Sequence, residues 1–348
     1  MRSILVARRD GGERPAREAP PAAWPLAEPF AIGGLRLANR VVQAPLAGIA
    51  NWAFRRQSRR HGAGLAVSEM IASLGLRHGN RTTRDMLAIA PDEHPVGIQL
   101  FGADPDAMAE AARDAEAAGA DLVDVNMGCP VPKICKTGAG AALLDDLDRA
   151  EAIVARMVAA VRVPVTVKLR RGVRVADARP AEAARRLAAA GAAAIVFHPR
   201  AAVEEYEGRA DHRVTAEVVR AVDVPVVASG DIDGPQEALR VVSDTGCAAV
   251  AIGRPALGNP WLFGAVASGR SPQRPPLPAV VDEIARFAAD ARIALGDARA
   301  CVYMRKFYPW YLAGYGVPRE LREALLTAPT LDAALGLLAG LVAARTAG

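Results

Sequence analysis

Short runs of apolar, largely β-branched residues recur along the first three quarters of the chain, at residues 41–45, 65–70, 96–101, 122–127, 165–169, 194–198, 226–229 and 250–253. Most are uninterrupted rather than alternating, the pattern of parallel strands covered on both faces. Between them lie stretches rich in Ala, Leu, Arg and Glu, at 105–118, 141–161, 180–190, 214–222 and 235–245. Several open at a proline and close beside a glycine, the asymmetry of helix starts and stops. Eight strand–helix units over about 240 residues predict an α/β fold, a (β/α)8 TIM barrel across residues 26–267. The competing arrangement is a doubly wound open sheet. It is disfavoured because no Gly-x-Gly-x-x-Gly turn follows the first strand and because polar residues recur at strand ends throughout.

Two breaks frame this region. Residues 1–25 are rich in Arg, Pro and Ala without apolar periodicity, and a flexible N-terminal tail is expected there. Residues 268–279 contain four prolines, which lack the N–H of a helix interior and restrict their neighbours, so this stretch reads as a linker. Apolar helical spacing returns over 280–348 and predicts a small C-terminal all-helical domain.

Composition narrows the setting. With 51% hydrophobic and 23% charged residues in 348, the chain can bury a large core, which excludes global disorder, collagen and disulfide-stapled miniproteins. Four scattered cysteines (129, 135, 247 and 301) make no disulfide framework and point to a reducing, cytoplasmic compartment. No apolar run approaches the ~20 residues of a membrane span, so no membrane partner is expected. The net charge of +5 invites a nucleic-acid reading, but residues 26–267 carry 28 basic and 28 acidic groups, and the surplus lies outside them. The totals therefore show no basic stripe of the kind that marks nucleic-acid binding.

In such barrels the chemistry sits at the C-terminal strand ends. Here these read Ala44-Pro-Leu-Ala-Gly48, Ser68-Glu-Met70, Gln99, Asn126-Met-Gly-Cys-Pro130, Lys168 with Arg170, His198-Pro-Arg200, Ser229-Gly-Asp231 and Gly253-Arg254. The last two permit close backbone approach and place N–H groups before short helices, which suits a phosphate, although glycines of this kind also serve plain tight turns. Arg254, Lys168 and His198 at the same mouth favour the phosphate. With Gln99 and Lys168 beside it, the site suits flavin mononucleotide (FMN), because an amide and an ammonium can bond the pyrimidine edge of the ring. Cys129 reads either as a buried apolar residue or as a proton donor, since a thiol of pKa near 8.5 is mostly protonated at neutral pH. Cys129 and Cys135 are six apart with no second pair, so no metal site is expected.

Taken together, Ala44-Pro-Leu-Ala-Gly48, Ser68-Glu-Met-Ile71, Gln99-Leu-Phe-Gly102, Asp124-Val-Asn-Met-Gly-Cys-Pro130, Lys136-Thr-Gly-Ala-Gly140 and Ala251-Ile-Gly-Arg254 resemble the tRNA-dihydrouridine synthases, nearest the bacterial B-type branch. The resemblance implies FMN-dependent reduction of uridine to 5,6-dihydrouridine in tRNA, with NADPH as reductant. Pro45, Leu46 and Ala47 would line the flavin, and Gln99 and Lys168 would bond its ring. His198, Ser229, Gly230, Asp231, Gly253 and Arg254 would hold its ribityl chain and phosphate. Asn126 would position uracil or flavin, and Cys129 would be the acid. The helical domain would grip tRNA through Arg305 and Lys306, within an aromatic stretch whose Phe307 and Trp310 are assigned to packing. Pro199, Ser229 and Pro309 depart from the family pattern. A monomer is expected. Two other readings stand beside this one: an FMN barrel acting on a small pyrimidine-like substrate, and a phosphate- or RNA-binding barrel without its flavin.

Overall fold

The computed structural model describes residues 24–346 apart from 177 and 272. The chain opens with an antiparallel hairpin, β1 (Phe30–Ile32) and β2 (Leu35–Leu37), which the apolar pattern did not predict. Nine further strands follow: β3 (Val41–Gln43), β4 (Leu65–Val67), β5 (Ile71–Ala72), β6 (Val96–Phe101), β7 (Leu122–Met127), β8 (Val165–Arg170), β9 (Ala194–His198), β10 (Val226–Ser229) and β11 (Ala249–Ile252). Their hydrogen-bonded order is β4-β3-β11-β10-β9-β8-β7-β6, and a further β4–β6 pairing closes the ring. All these pairs are parallel, and β5 merely extends the mouth end of β6. The fold is the eight-stranded TIM barrel expected.

The uninterrupted runs arise because both strand faces are covered. On β7, Val123, Val125 and Met127 join the apolar layer under the outer helices, while Asp124 and Asn126 take part in hydrogen bonds inside the barrel. One expected helix, 141–161, is divided. Gly140–Asp145 is a 3-10 turn, and a helix begins anew at Leu147–Val158, where the Asp146 side chain accepts from the Arg149 amide at 3.1 Å.

Helix Trp52–Arg60 is not among the segments that the sequence pattern predicts. It is the hub between barrel and C-terminal helices. Arg55 is 1% exposed and pairs with the fully buried Glu93 at 2.9 Å, also donating to the Ala50 and Ala88 carbonyls. Arg56 and Arg60 reach Asp290 at 2.6 and 2.7 Å, while Gln57 and His61 meet Glu283. Ala53 and Phe54 of the same helix lie in one apolar cluster with Phe287, Met304, Phe307 and Leu338.

The chain reaches the C-terminal helices without a long spacer. The linker expected over 268–279 is shorter, because helix Leu277–Leu295 has already begun, with Pro278 in its first turn where a missing N–H costs nothing. Helices Asp297–Met304, Tyr308–Tyr311, Arg319–Thr327 and Leu331–Thr346 follow. At the other end, residues 1–23 of the expected tail lie outside the described residues. Trp24 is anchored, its indole N–H donating to the Val266 carbonyl at 2.8 Å.

Candidate active site

The first part of the site is a buried polar layer. Strand register sets Gln99, Asp124 and Thr166 side by side on β6, β7 and β8. Asp124, 2% exposed, accepts from Gln99 Nε2 at 2.7 Å and from the Thr166 hydroxyl at 2.6 Å. Gln99 Oε1 accepts from Asn126 Nδ2 at 2.8 Å, and Asn126 Oδ1 accepts from the amides of Gly128 (3.2 Å) and Cys129 (2.9 Å). The loop carrying Cys129 is thus tied to the barrel interior. Its other side is closed by the Lys136-Thr-Gly-Ala-Gly140 turn, where Ala141 donates to the Cys129 carbonyl at 3.0 Å. Gly140 has φ +63°, and a Cβ there would stand 2.8 Å from that carbonyl, so the turn requires glycine. Cys129 is half-buried, and burial pushes its thiol above the ordinary value, leaving it protonated at neutral pH.

The second part is cationic and lies at the ends of β8 to β11. The Lys168 ammonium, half-buried, has no hydrogen-bond or ion-pair partner among the described residues, and desolvation with Arg170 nearby lowers it to about 8. His198 is 6% exposed, and its Nδ1 is buried without a partner. Desolvation, then Lys168, Arg170, Arg200 and Arg254, push it down to about 2, so the imidazole is neutral. Arg200 pairs with Asp231 at 2.8 Å. The Arg254 guanidinium makes no hydrogen bond or ion pair among the described residues, and stacks on Tyr206 at 4.0 Å from the ring centroid. Gly230 has φ +115°, and a Cβ there would meet the His198 ring at 2.9 Å. Ser229 is buried beside it, and a Cβ on Gly253 would stand 3.6 Å from the Leu46 side chain.

The third part is the loop after β3. Pro45 and Leu46 are half-buried, while Ala47 and Gly48 are exposed. Gly48 (φ +70°) donates its N–H to Glu69 Oε2 at 2.7 Å, and its carbonyl accepts from Lys306 Nζ at 3.0 Å. The Tyr303 hydroxyl donates to the Ile49 carbonyl at 2.6 Å. The helical domain therefore reaches the rim of the mouth.

A family model described as dihydrouridine synthase (Dus) matches residues 42–342. The tRNA-dihydrouridine synthase B of Xanthomonas campestris pv. campestris is 37% identical over 310 residues, covering 88% of this chain and 93% of that one. The tRNA-dihydrouridine synthase B of Pseudomonas aeruginosa is 37% identical over 295 residues, covering 84% and 89%. The chain belongs to the dihydrouridine synthase family. Among solved structures, a variant of NCR from Zymomonas mobilis aligns with TM-score 0.52 at 21% identity, over 68% of this chain and 88% of that chain. Histamine dehydrogenase from Rhizobium sp. 4-9 gives 0.57 at 15% identity, over 76% and 51%. These two likenesses carry the fold alone.

The residues of this dihydrouridine synthase fit the flavin that the family implies. Among the described residues, an imidazole nitrogen buried without a partner, and an ammonium and a guanidinium without a hydrogen bond or ion pair, are what a phosphate-bearing ligand would complete. The Asp231 carboxylate accepts from Arg200 at 2.8 Å and from the Ala210 amide at 2.7 Å. Arg305, half-buried, gives Nη2 to the Ala328 carbonyl at 2.9 Å, and its Nε is buried. Phe307 and Trp310 pack edge to face at 5.6 Å, as the packing assignment has it.

Sequence reasoning gave no role to Asp124, Thr166, Arg170 or Tyr206. Arg170 donates to the carbonyls of Gly128, Ala201 and Glu205, joining the Cys129 loop to the Tyr206 loop. A signal existed: Asp124 stands two before Asn126, and Arg170 two after Lys168, so each shares a strand face with an assigned residue.

Proposed function

We propose that this dihydrouridine synthase reduces the C5=C6 bond of selected uridines in tRNA to 5,6-dihydrouridine, using FMN at the barrel mouth and NADPH as reductant. The observation that carries this reading is a protonated, half-buried thiol after β7 and, at the end of the neighbouring β8, the Lys168 ammonium without a hydrogen-bond or ion-pair partner among the described residues. FMN, when bound, supplies the hydride that adds at C6 of the uracil. The chain's own groups do the rest. Lys168 and Gln99 bond the ring edge, and His198, Ser229, Gly230, Gly253 and Arg254 receive the ribityl phosphate, with Asp231 acting through Arg200. Pro45, Leu46 and Ala47 lie along the flavin. Reduction across C5=C6 leaves charge conjugated to the C4 carbonyl, which is discharged when C5 takes a proton. Cys129 gives that proton, becomes a thiolate and is reprotonated from solvent.

The target base has to leave its stack to reach the mouth, at a cost on the order of a few kcal/mol. Lys306, exposed at the rim, meets tRNA phosphate. A tRNA substrate supports a cytoplasmic location; no described helix is long and apolar enough to cross a membrane.

Purified protein supplied with FMN, NADPH and tRNA lacking dihydrouridine is expected to form dihydrouridine, read by nucleoside mass spectrometry. Cys129→Ala should slow the reaction about 100- to 10,000-fold while FMN still binds. Unslowed turnover would assign the proton to another group. Turnover of free pyrimidines with none on tRNA would favour the small-substrate enzyme.

A further inference from the structure

One buried carboxylate, Asp124, has no part in the reaction as proposed. Its surroundings are specific. An ionised carboxylate can only accept, and Asp124 accepts from both Thr166 and Gln99. At the far end of the chain of contacts stand the backbone amides of Gly128 and Cys129, which can only donate. Between these ends lie the side-chain amides of Gln99 and Asn126. Each would fill the same space if flipped, with donor and acceptor exchanged. Shape cannot fix their orientation, so the two ends do. With Asp124 accepting, Gln99 Nε2 points to it and Gln99 Oε1 is left for Asn126 Nδ2. Asn126 Oδ1 is then left for the loop amides. Reversing Gln99 would bring Asn126 Nδ2 against two N–H groups.

We propose that Asp124 is a positioning residue that sets the donor direction of the Gln99–Asn126 chain, thereby holding the Cys129 loop and fixing which face of the Gln99 amide the flavin meets. This rests on the proposed function for the roles given to Cys129 and to Gln99 at the flavin. The requirement is for an acceptor facing Gln99, not for a negative charge. An amide at 124 can satisfy it, with its oxygen towards Gln99 and its NH2 towards Thr166, whose hydroxyl can accept as well as donate. A leucine cannot.

The test is hydrogen exchange of the Gly128 and Cys129 amides in the full chain, with and without FMN, in three variants. Asp124→Leu should exchange these amides about tenfold faster, as expected when a buried hydrogen bond is lost. Asp124→Asn should keep them near the wild-type rate. In the double variant Asp124→Asn/Gln99→Glu, the new carboxylate accepts from both neighbouring amides, so Asn126 keeps its direction. The loop amides should then stay protected while FMN affinity, read by flavin fluorescence, falls. With tRNA as substrate, Asp124→Leu should lower kcat and leave KM for tRNA unchanged.

Unchanged protection in Asp124→Leu overturns the proposal. So does equal loss in Asp124→Asn, because charge and not direction would then matter. Should Asp124→Leu not fold, the double variant decides alone, since loss of loop protection there is incompatible with the proposed direction. Failure of the reaction itself would appear separately, as full activity in Cys129→Ala with the exchange pattern intact.

Discussion

The two sides of the barrel mouth are built to different degrees of completion. At the ends of β6 and β7, Asp124, Gln99 and Asn126 satisfy one another and the Cys129 loop within the protein. At the ends of β8 to β11, Lys168 and Arg254 lack hydrogen-bond and ion-pair partners among the described residues, and His198 Nδ1 is buried without one. Buried polar groups are normally paired, so orphans mark an interaction still to be made. The finished side holds a proton donor in place whether or not ligand is present. The unfinished side keeps its electrostatic attraction for an anion, and the folded protein without ligand bears the strain.

The sharpest way to break this contrast is Lys168→Met. Removing a desolvated, unpaired cation should stabilise the FMN-free protein by up to about 1 kcal/mol, since burial already disfavours the charge. The same change should weaken FMN binding about 10- to 100-fold, the worth of a charged hydrogen bond. Thermal melting and flavin titration should therefore move in opposite directions. If melting temperature and affinity fall together, Lys168 is a structural group and the mouth is not unfinished there.

A smaller effect comes from pH. His198 is held neutral, pushed down to about 2, whereas in the unfolded chain it takes a proton near 6.5. Below pH 6.5 the unfolded state binds more protons than the native one, so stability falls as pH falls. Between pH 7 and 5 this should cost the FMN-free protein about 2 kcal/mol, a few degrees of melting temperature. Asp124, raised to about 6 mainly by burial, runs the other way from about pH 6 down to its unfolded value. The His198 contribution is therefore read as the difference between wild type and His198→Gln, which should show the shallower slope. FMN, bringing an anion to the same cations, should flatten the wild type too. A steeper slope with FMN bound would place the phosphate elsewhere.

The parts legible in the sequence were those whose cause is local. A strand buried on both faces must be apolar, so eight of the strands could be read directly, and polar strand ends named Gln99, Lys168 and His198. Helix Trp52–Arg60 was not legible, because its arginines pair with partners such as Glu93 and Asp290, 38 and 234 residues away. The β1–β2 hairpin, only three residues a side, gives too little alternation to register. Asp124 sat unassigned inside an apolar run, because its meaning lies in Gln99 on the neighbouring strand. Nothing near Arg305 in sequence shows its contact with the Ala328 carbonyl, 23 residues on. The same coupling explains why cutting the chain near residue 268 would not isolate a working barrel: Ala53 and Phe54 would lose the apolar cluster they share with the C-terminal helices.

Lys306 joins the two regions and gives the smallest effect. Its ammonium donates to the Gly48 carbonyl, while Glu69 accepts from the Gly48 amide, so the peptide before the helix hub is held at both ends. The contact is exposed, and one hydrogen bond there is worth about 0.5–1 kcal/mol. Lys306→Met should therefore weaken FMN binding about twofold to fivefold through the Pro45–Gly48 loop. An ammonium has three donors, and one given to Gly48 leaves two for phosphate. The same variant should then reduce the dependence of log tRNA affinity on log salt by somewhat under one unit, the signature of one lost phosphate contact. If the salt dependence changes and FMN affinity does not, the Gly48 contact has no bearing on the cofactor loop. If FMN affinity falls at unchanged salt dependence, Lys306 belongs to the mouth and tRNA is gripped by other cations.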